Sequence, residues 1–103
     1  MAMAKEEEGM KVNTKFFATI REITGKREDT LQLHSKSSVK DFLKELSKRY
    51  GVKLSEYIFD DKGRLRESLS LLVNGQAINT SNLDTTKLKD GDLVVILPPI
   101  GGG

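Results

Sequence analysis

Five apolar residues in a row, Leu93-Val94-Val95-Ile96-Leu97, run straight into Pro98 and Pro99. A strand that is apolar on both faces belongs in the interior of a sheet, with a neighbour on each side. The two prolines stop it, because neither has an amide to give to a ladder. The chain must therefore build its sheet around its last strand and leave that strand through a stiff proline pair toward Ile100, Gly101, Gly102 and Gly103.

Earlier segments supply the neighbours. From Lys11 to Thr19 the apolar positions Val12, Phe16 and Ala18 follow a period near two, with Lys11, Asn13 and Lys15 on the opposite face. Phe17 breaks the period and is expected to point outward beside the lysines. "IREITGK" reads as a turn closed by Gly25, and "DTLQL" as a second strand with Leu31 and Leu33 on one face, giving a hairpin with a long connection. In "SSVKDFLKELSKRYG", Val39, Phe42, Leu43, Leu46 and Tyr50 recur at helical spacing. Ser38 with Asp41 makes a capping-box variant, Gly51 suits the C-terminal cap, and the helix is expected over Val39–Tyr50. Between Val52 and Ser68 the sequence offers a "DDKG" turn, with Leu54, Tyr57, Ile58 and Phe59 capping one end of the core. Asn74-Gly75 between apolar runs is a hairpin signal, and "TTKLKDGD" is a further turn.

The resulting order, β-β-α-β-(β)-β, describes an α+β fold of the ubiquitin-like β-grasp kind, a mixed four- to five-stranded sheet wrapping one main helix. At 103 residues the length fits one domain. Residues 1–9 are expected to be a flexible leader, with Met1, Met3 and Met10 as alternative starts. Residues 10–97 form the domain and residues 98–103 an extended tail.

Composition narrows the function. Seventeen Lys and Arg against fifteen Asp and Glu leave a formal charge of +2, interspersed rather than gathered, so the footprint of nucleic-acid binding is missing. The absence of cysteine rules out disulfides, a thiol nucleophile and zinc-finger spacing. No signal-peptide core and no apolar run long enough to span a bilayer occur, which argues against a membrane and for the cytosol. No GK[ST] phosphate loop is present, so a nucleotide such as ATP must be bound by a partner, and no cofactor is expected on this chain. His34, the one histidine, reads as a strand-end or surface residue. Asp60 and Asp61 read as turn residues, and Asn79-Thr80-Ser81 as a chance sequon. Nothing here makes the chain an enzyme by itself.

The stretches "MKVNTKFFATIREITG", "SSVKDFLKELSKRYG", "LLVNGQAI" and "LKDGDLVVILPPIGGG" resemble the small sulfur-carrier subunits of molybdopterin synthase, ubiquitin-like relatives of the thiamine sulfur carrier. The resemblance runs from Met10 to Gly103, departing where Gly101 replaces the family's usual Ala or Ser. It implies that an E1-like adenylating enzyme activates the Gly103 carboxylate with ATP as an acyl-adenylate, which is converted to a thiocarboxylate. A large synthase subunit then uses the sulfur on a pterin precursor. It also implies partner contacts at Phe17, Ala77 and Leu97, and it matches Arg21 and Glu22 to the family's first-turn pattern, as a local ion pair or a partner contact.

The physics of the tail agrees. A carboxylate is a poor acyl electrophile until its oxygen becomes a leaving group, and the enzyme that does this must enclose the carbon. Gly102 and Gly103 carry no Cβ to obstruct that enclosure. Six extended residues, Pro98 to Gly103, reach about 20 Å, with Pro98 and Pro99 stiffening the base and Ile100 offering an anchor midway. If Val94 and Ile96 face the helix, then Leu93, Val95 and Leu97 face outward, joined by Leu72 and Phe17 in an apolar docking patch. The same tail also fits a protein modifier joined to lysines or a sulfur carrier for tRNA thiolation. A binding module with an inert tail is the remaining alternative.

Overall fold

The computed structural model describes residues 9–99. The elements run β1 (Met10–Lys15), α1 (Ala18–Thr24), β2 (Glu28–Leu33), α2 (Val39–Tyr50), α3 (Val52–Ile58), β3 (Ser70–Val73), β4 (Gln76–Ala77), a 3-10 turn at Thr80–Asn82, and β5 (Leu93–Leu97). They form one five-stranded sheet in the order β2-β1-β5-β3-β4. β5 pairs parallel with β1 and antiparallel with β3, so the last strand does occupy the centre. This is the ubiquitin-like β-grasp that the sequence led us to expect.

Alternation decides which face each strand buries. Val12, Leu31, Leu71, Val94 and Ile96 turn inward and are almost fully buried, while Lys11, Asn13 and Lys15 stay exposed on the other face. Against the inner face lies α2, whose Val39, Phe42, Leu43 and Leu46 are wholly buried. Each contributes about 1.5–3 kcal/mol of apolar burial. The capping box forms as read: the Asp41 amide donates to Ser38 Oγ at 3.2 Å, and the Ser38 amide donates to Asp41 Oδ2 at 2.9 Å. The next amides of α2 are taken up by the loop before β5, Val39 donating to the Thr86 carbonyl and Lys40 to that of Leu83.

Two segments fold differently from their sequence reading. "IREITGK" is not a plain turn, because Ala18–Thr24 forms α1, and Ala18 is exposed at its first position rather than facing inward on a strand. Only Ile20 of α1 is fully buried, so seven residues carry too little amphipathic signal to declare a helix. Val52–Ile58 is likewise a helix, α3, which starts directly after Gly51 and buries Leu54 and Ile58 one turn apart. The end-capping role expected of this region holds for Leu54 and Ile58, with Tyr57 and Phe59 half-buried against the core.

The remaining turns follow their chemistry. Asn74 and Gly75 both adopt positive φ, 53° and 84°, as a tight hairpin between β3 and β4 requires. In the Asp90-Gly91-Asp92 turn, Gly91 sits at φ 87° and its amide donates to the Lys11 carbonyl, while Asp90 Oδ1 accepts the Lys11 amide at 2.7 Å. Asp92 Oδ1 accepts from Asn74 Nδ2, and Asn74 Oδ1 accepts the Leu93 amide. One short turn thus fastens β5 to both of its neighbours. Asp60 accepts the Lys62 and Arg64 amides and is a turn residue, as read, and Asn79 accepts the Ser81 amide at the head of the 3-10 turn.

At the far end of α2, the Tyr50 hydroxyl donates to Asp29 Oδ2, and Arg49 reaches the same oxygen at 3.1 Å. The Tyr50 ring meets buried Phe16 edge-on at 5.6 Å. Burial pushes the Asp29 carboxyl up, but the Tyr50 hydroxyl, the Thr30 amide and Arg49 more than offset it and hold the group below 3.8. Burial, and then the bond to Asp29, push the Tyr50 phenol up from 10.0 to about 12.

These contacts make two predictions. Ser38→Ala is expected to cost about 1 kcal/mol in urea unfolding through loss of the cap. Because Asp29 is depressed, its share of stability is present above 3.8 and is lost as pH falls through its lowered value. Because Tyr50 is raised, its share is present below pH 10.0 and is lost as pH climbs toward about 12. Thermal midpoints should fall on both limbs, the alkaline one becoming shallower in Tyr50→Phe and the acid one in Asp29→Asn.

Candidate functional site

The outward face of the sheet divides into two halves. On β2 and β1 it presents Glu28, Thr30, Gln32, Lys15, Asn13 and Lys11, all exposed. On β5, β3 and β4 it turns apolar. Strand register aligns Lys15 with Val95, Val95 with Leu72, and Leu72 with Ala77, so one row crosses four strands from a lysine to a methyl group. Leu93 and Leu97 stand two residues either side of Val95 on the same face. The expectation from alternation that Leu72 and Leu97 share the outer face therefore agrees with the register, which adds Ala77 to it.

Exposure within this half is uneven. Ala77 is open, whereas Leu72, Leu93 and Leu97 are half-buried. Val95, expected outward, does lie on the outer face but is only 8% exposed, and it stands apart from the main core cluster. Val95, at the crossing of the row and β5, is therefore the buried side chain of the patch. That outcome is invisible to alternation, which assigns a face but not the cover.

Phe17 lies just past β1, at the end of the sheet where β5 also ends. β1 and β5 run parallel with Lys15 opposite Val95, so the residues that follow each of them, Phe17 and Leu97, leave at the same end. Phe17 is 37% exposed and serves as the N-cap of α1 without any side-chain cap bond. The backbone turns sharply behind it: Ala18 has a φ of 49°, a left-handed value that costs a non-glycine residue about 1–2 kcal/mol. Arg21, one helical turn on, sets its guanidinium 6.0 Å from the centre of the Phe17 ring and donates through Nε to the Phe16 carbonyl at 3.3 Å. Of the two roles weighed for Arg21, the local ion pair with Glu22 is not formed among the described residues, and the arginine is engaged with the two phenylalanines instead. The i, i+4 spacing of Phe17 and Arg21 carries this contact in the sequence, but only once α1 is recognised as a helix.

Pro98 and Pro99 follow β5 and are half-buried. Ile100, Gly101, Gly102 and Gly103 lie outside the described residues. His34 is exposed just after β2. Among the described residues, no group of three His, Asp or Glu is placed to hold a metal ion, and no helix is long and apolar enough to cross a membrane.

Comparison with known proteins adds to this geometry. Residues 14–103 match the model of the ThiS family. Small archaeal modifier protein 3 of Haloferax volcanii is 31% identical over 94 residues, covering 91% of this chain and all of that protein. The solution structure of small archaeal modifier protein 1 from Methanosarcina acetivorans superimposes with a TM-score of 0.75 at 36% identity, covering 92% of this chain and 98% of the other. A Pyrococcus furiosus protein provisionally named molybdopterin converting factor, subunit 1, superimposes with a TM-score of 0.71 at 31% identity, covering 88% and 99%.

The uneven cover of the patch is testable by urea unfolding. Phe17→Lys should cost about 1 kcal/mol or less, the loss of the contact with Arg21 included. Val95→Lys should cost at least about 2 kcal/mol by burying a charge without a partner.

Proposed function

The chain belongs to the ThiS family of ubiquitin-like sulfur carriers, and from that premise we propose that it carries sulfur on its C-terminal glycine for the synthesis of molybdopterin. The Gly103 carboxylate attacks the α-phosphorus of ATP on an E1-like adenylating enzyme and releases pyrophosphate. A sulfur nucleophile supplied by the partner then displaces AMP at the carbonyl carbon, leading to a thiocarboxylate. A larger synthase subunit takes the sulfur from this tip onto a pterin precursor. The chain delivers a reactive atom, and catalytic groups, ATP and metal all belong to its partners.

One observation carries this reading: the central strand β5 ends where Phe17 is exposed, and it passes through Pro98 and Pro99 to a run of glycines. A partner that grips the outer apolar half through Phe17, Leu72, Ala77 and Leu97 holds the root of the tail at a fixed place. Ile100 and Gly101 then span to the enclosed site, and Gly102 and Gly103 enter it without side chains. The stiff proline base lowers the ordering cost of insertion. A cytoplasmic setting supplies the ATP that this chemistry consumes.

A second reading has its own support. Two of the proteins above are named small archaeal modifier proteins, so the same tip, once adenylated, serves equally for conjugation to lysines. Intact-mass measurement on chain purified from its own cells separates the two. Replacement of one oxygen by sulfur on the free chain supports the carrier, and lysine-linked conjugates support the modifier. Deleting Gly102 and Gly103 should abolish cofactor synthesis in cells lacking the gene. Full complementation by the truncated chain is incompatible with the carrier reading, and lysine-linked conjugates formed by the truncated chain are incompatible with the modifier reading.

A further inference from the structure

Phe17 is one of two large hydrophobic residues exposed among those described, and three separate features hold it there. Ala18 adopts φ 49° immediately behind it, turning the chain out of the strand direction and into α1. The Ile20 and Arg21 amides both donate to the Phe17 carbonyl, at 3.1 and 3.3 Å, which fixes its backbone at the head of α1. Arg21 then covers the ring with its guanidinium while its Nε is tied to the Phe16 carbonyl. A backbone conformation this unfavourable persists only where its surroundings over-determine it. An aromatic ring that merely lacked room in the core would need none of these devices.

We propose that Arg21 is a positioning residue for docking: anchored on the backbone of Phe16, it holds the Phe17 ring outward beside the root of the tail, set in advance for an apolar pocket on the partner. This rests on the carrier reading above. The contact acts by limiting the ring to few rotamers before the encounter, so that less freedom is lost on binding. Arg21 need not touch the partner to do so. The cation on one side of the ring leaves its other side free for apolar contact.

The test is a double-mutant cycle read with the purified E1-like adenylating enzyme of the same organism, by ATP–pyrophosphate exchange at varied concentrations of the full chain. Arg21→Gln should raise the KM for the chain by about threefold to tenfold with kcat unchanged, the scale of one cation–π contact. In a Phe17→Ala background the same change should have no further effect, because the ring it positions is gone. An unchanged KM in Arg21→Gln overturns the proposal, as does an equal loss in both backgrounds, which would mean direct contact with the partner. Arg21→Met, which keeps the aliphatic stem, replaces Arg21→Gln if the latter fails to fold. The positioning is also read without a partner, from the α–β proton couplings of Phe17 by NMR. They should report one rotamer in the wild-type chain and an average in Arg21→Gln, and unchanged couplings overturn the proposal. Failure of the adenylation that the carrier reading requires looks different, as an absence of exchange with the wild-type chain, and failure of the sulfur transfer alone is read from the intact mass, with exchange retained.

Discussion

Parallel pairing of β1 with β5 is the contact on which the rest of this molecule depends. It joins Asn13, Thr14 and Lys15 to Leu93, Val94 and Val95, residues from opposite ends of the chain. Without it, the β1–β2 hairpin and the β3–β4 hairpin are separate ribbons, each too small to bury a face. With it they become one sheet, and α2 gains a continuous apolar floor. The pairing is secured at its start by the Asp90-Gly91-Asp92 turn, which bonds to Lys11 on one side and to Asn74 on the other. It also brings the residues that follow the two strands, Phe17 and Pro98, to the same end of the sheet, because parallel strands end together.

Much of this was legible before any coordinates. The centre of the sheet could be read from the uninterrupted run Leu93–Leu97, α2 and its caps from helical spacing with Ser38 and Asp41, and the second hairpin from Asn74-Gly75. Each is a local signal strong enough to survive tertiary context. α1 and α3 were not legible, because seven residues span only two turns and bury one and two side chains. Their helical state is decided by packing against the rest of the fold rather than by their own pattern.

The candidate site was half legible. Alternation placed Leu72 and Leu97 on the outer face with Val95, and register confirms that Leu72, Ala77 and Val95 share a row. The depth of Val95 was not legible, since cover on a sheet face comes from neighbouring strands whose order the sequence does not fix. Nor was the arrangement around Phe17. A left-handed alanine leaves no mark in composition, and the reach of Arg21 depends on a helix too short to announce itself.

Placing the last strand at the middle of the sheet has a consequence for how the protein is made. A nascent chain that has emerged as far as β4 holds two ribbons whose inner edges, on β1 and β3, both lack their partner. Such a species presents open ladder edges and uncovered leucines, the features that invite chaperones or self-association. Closure awaits β5, and contacts between distant parts of a sequence form slowly. Closure of the sheet is therefore a late step, and a chain cut short before Leu93 lacks the strand that joins its two ribbons.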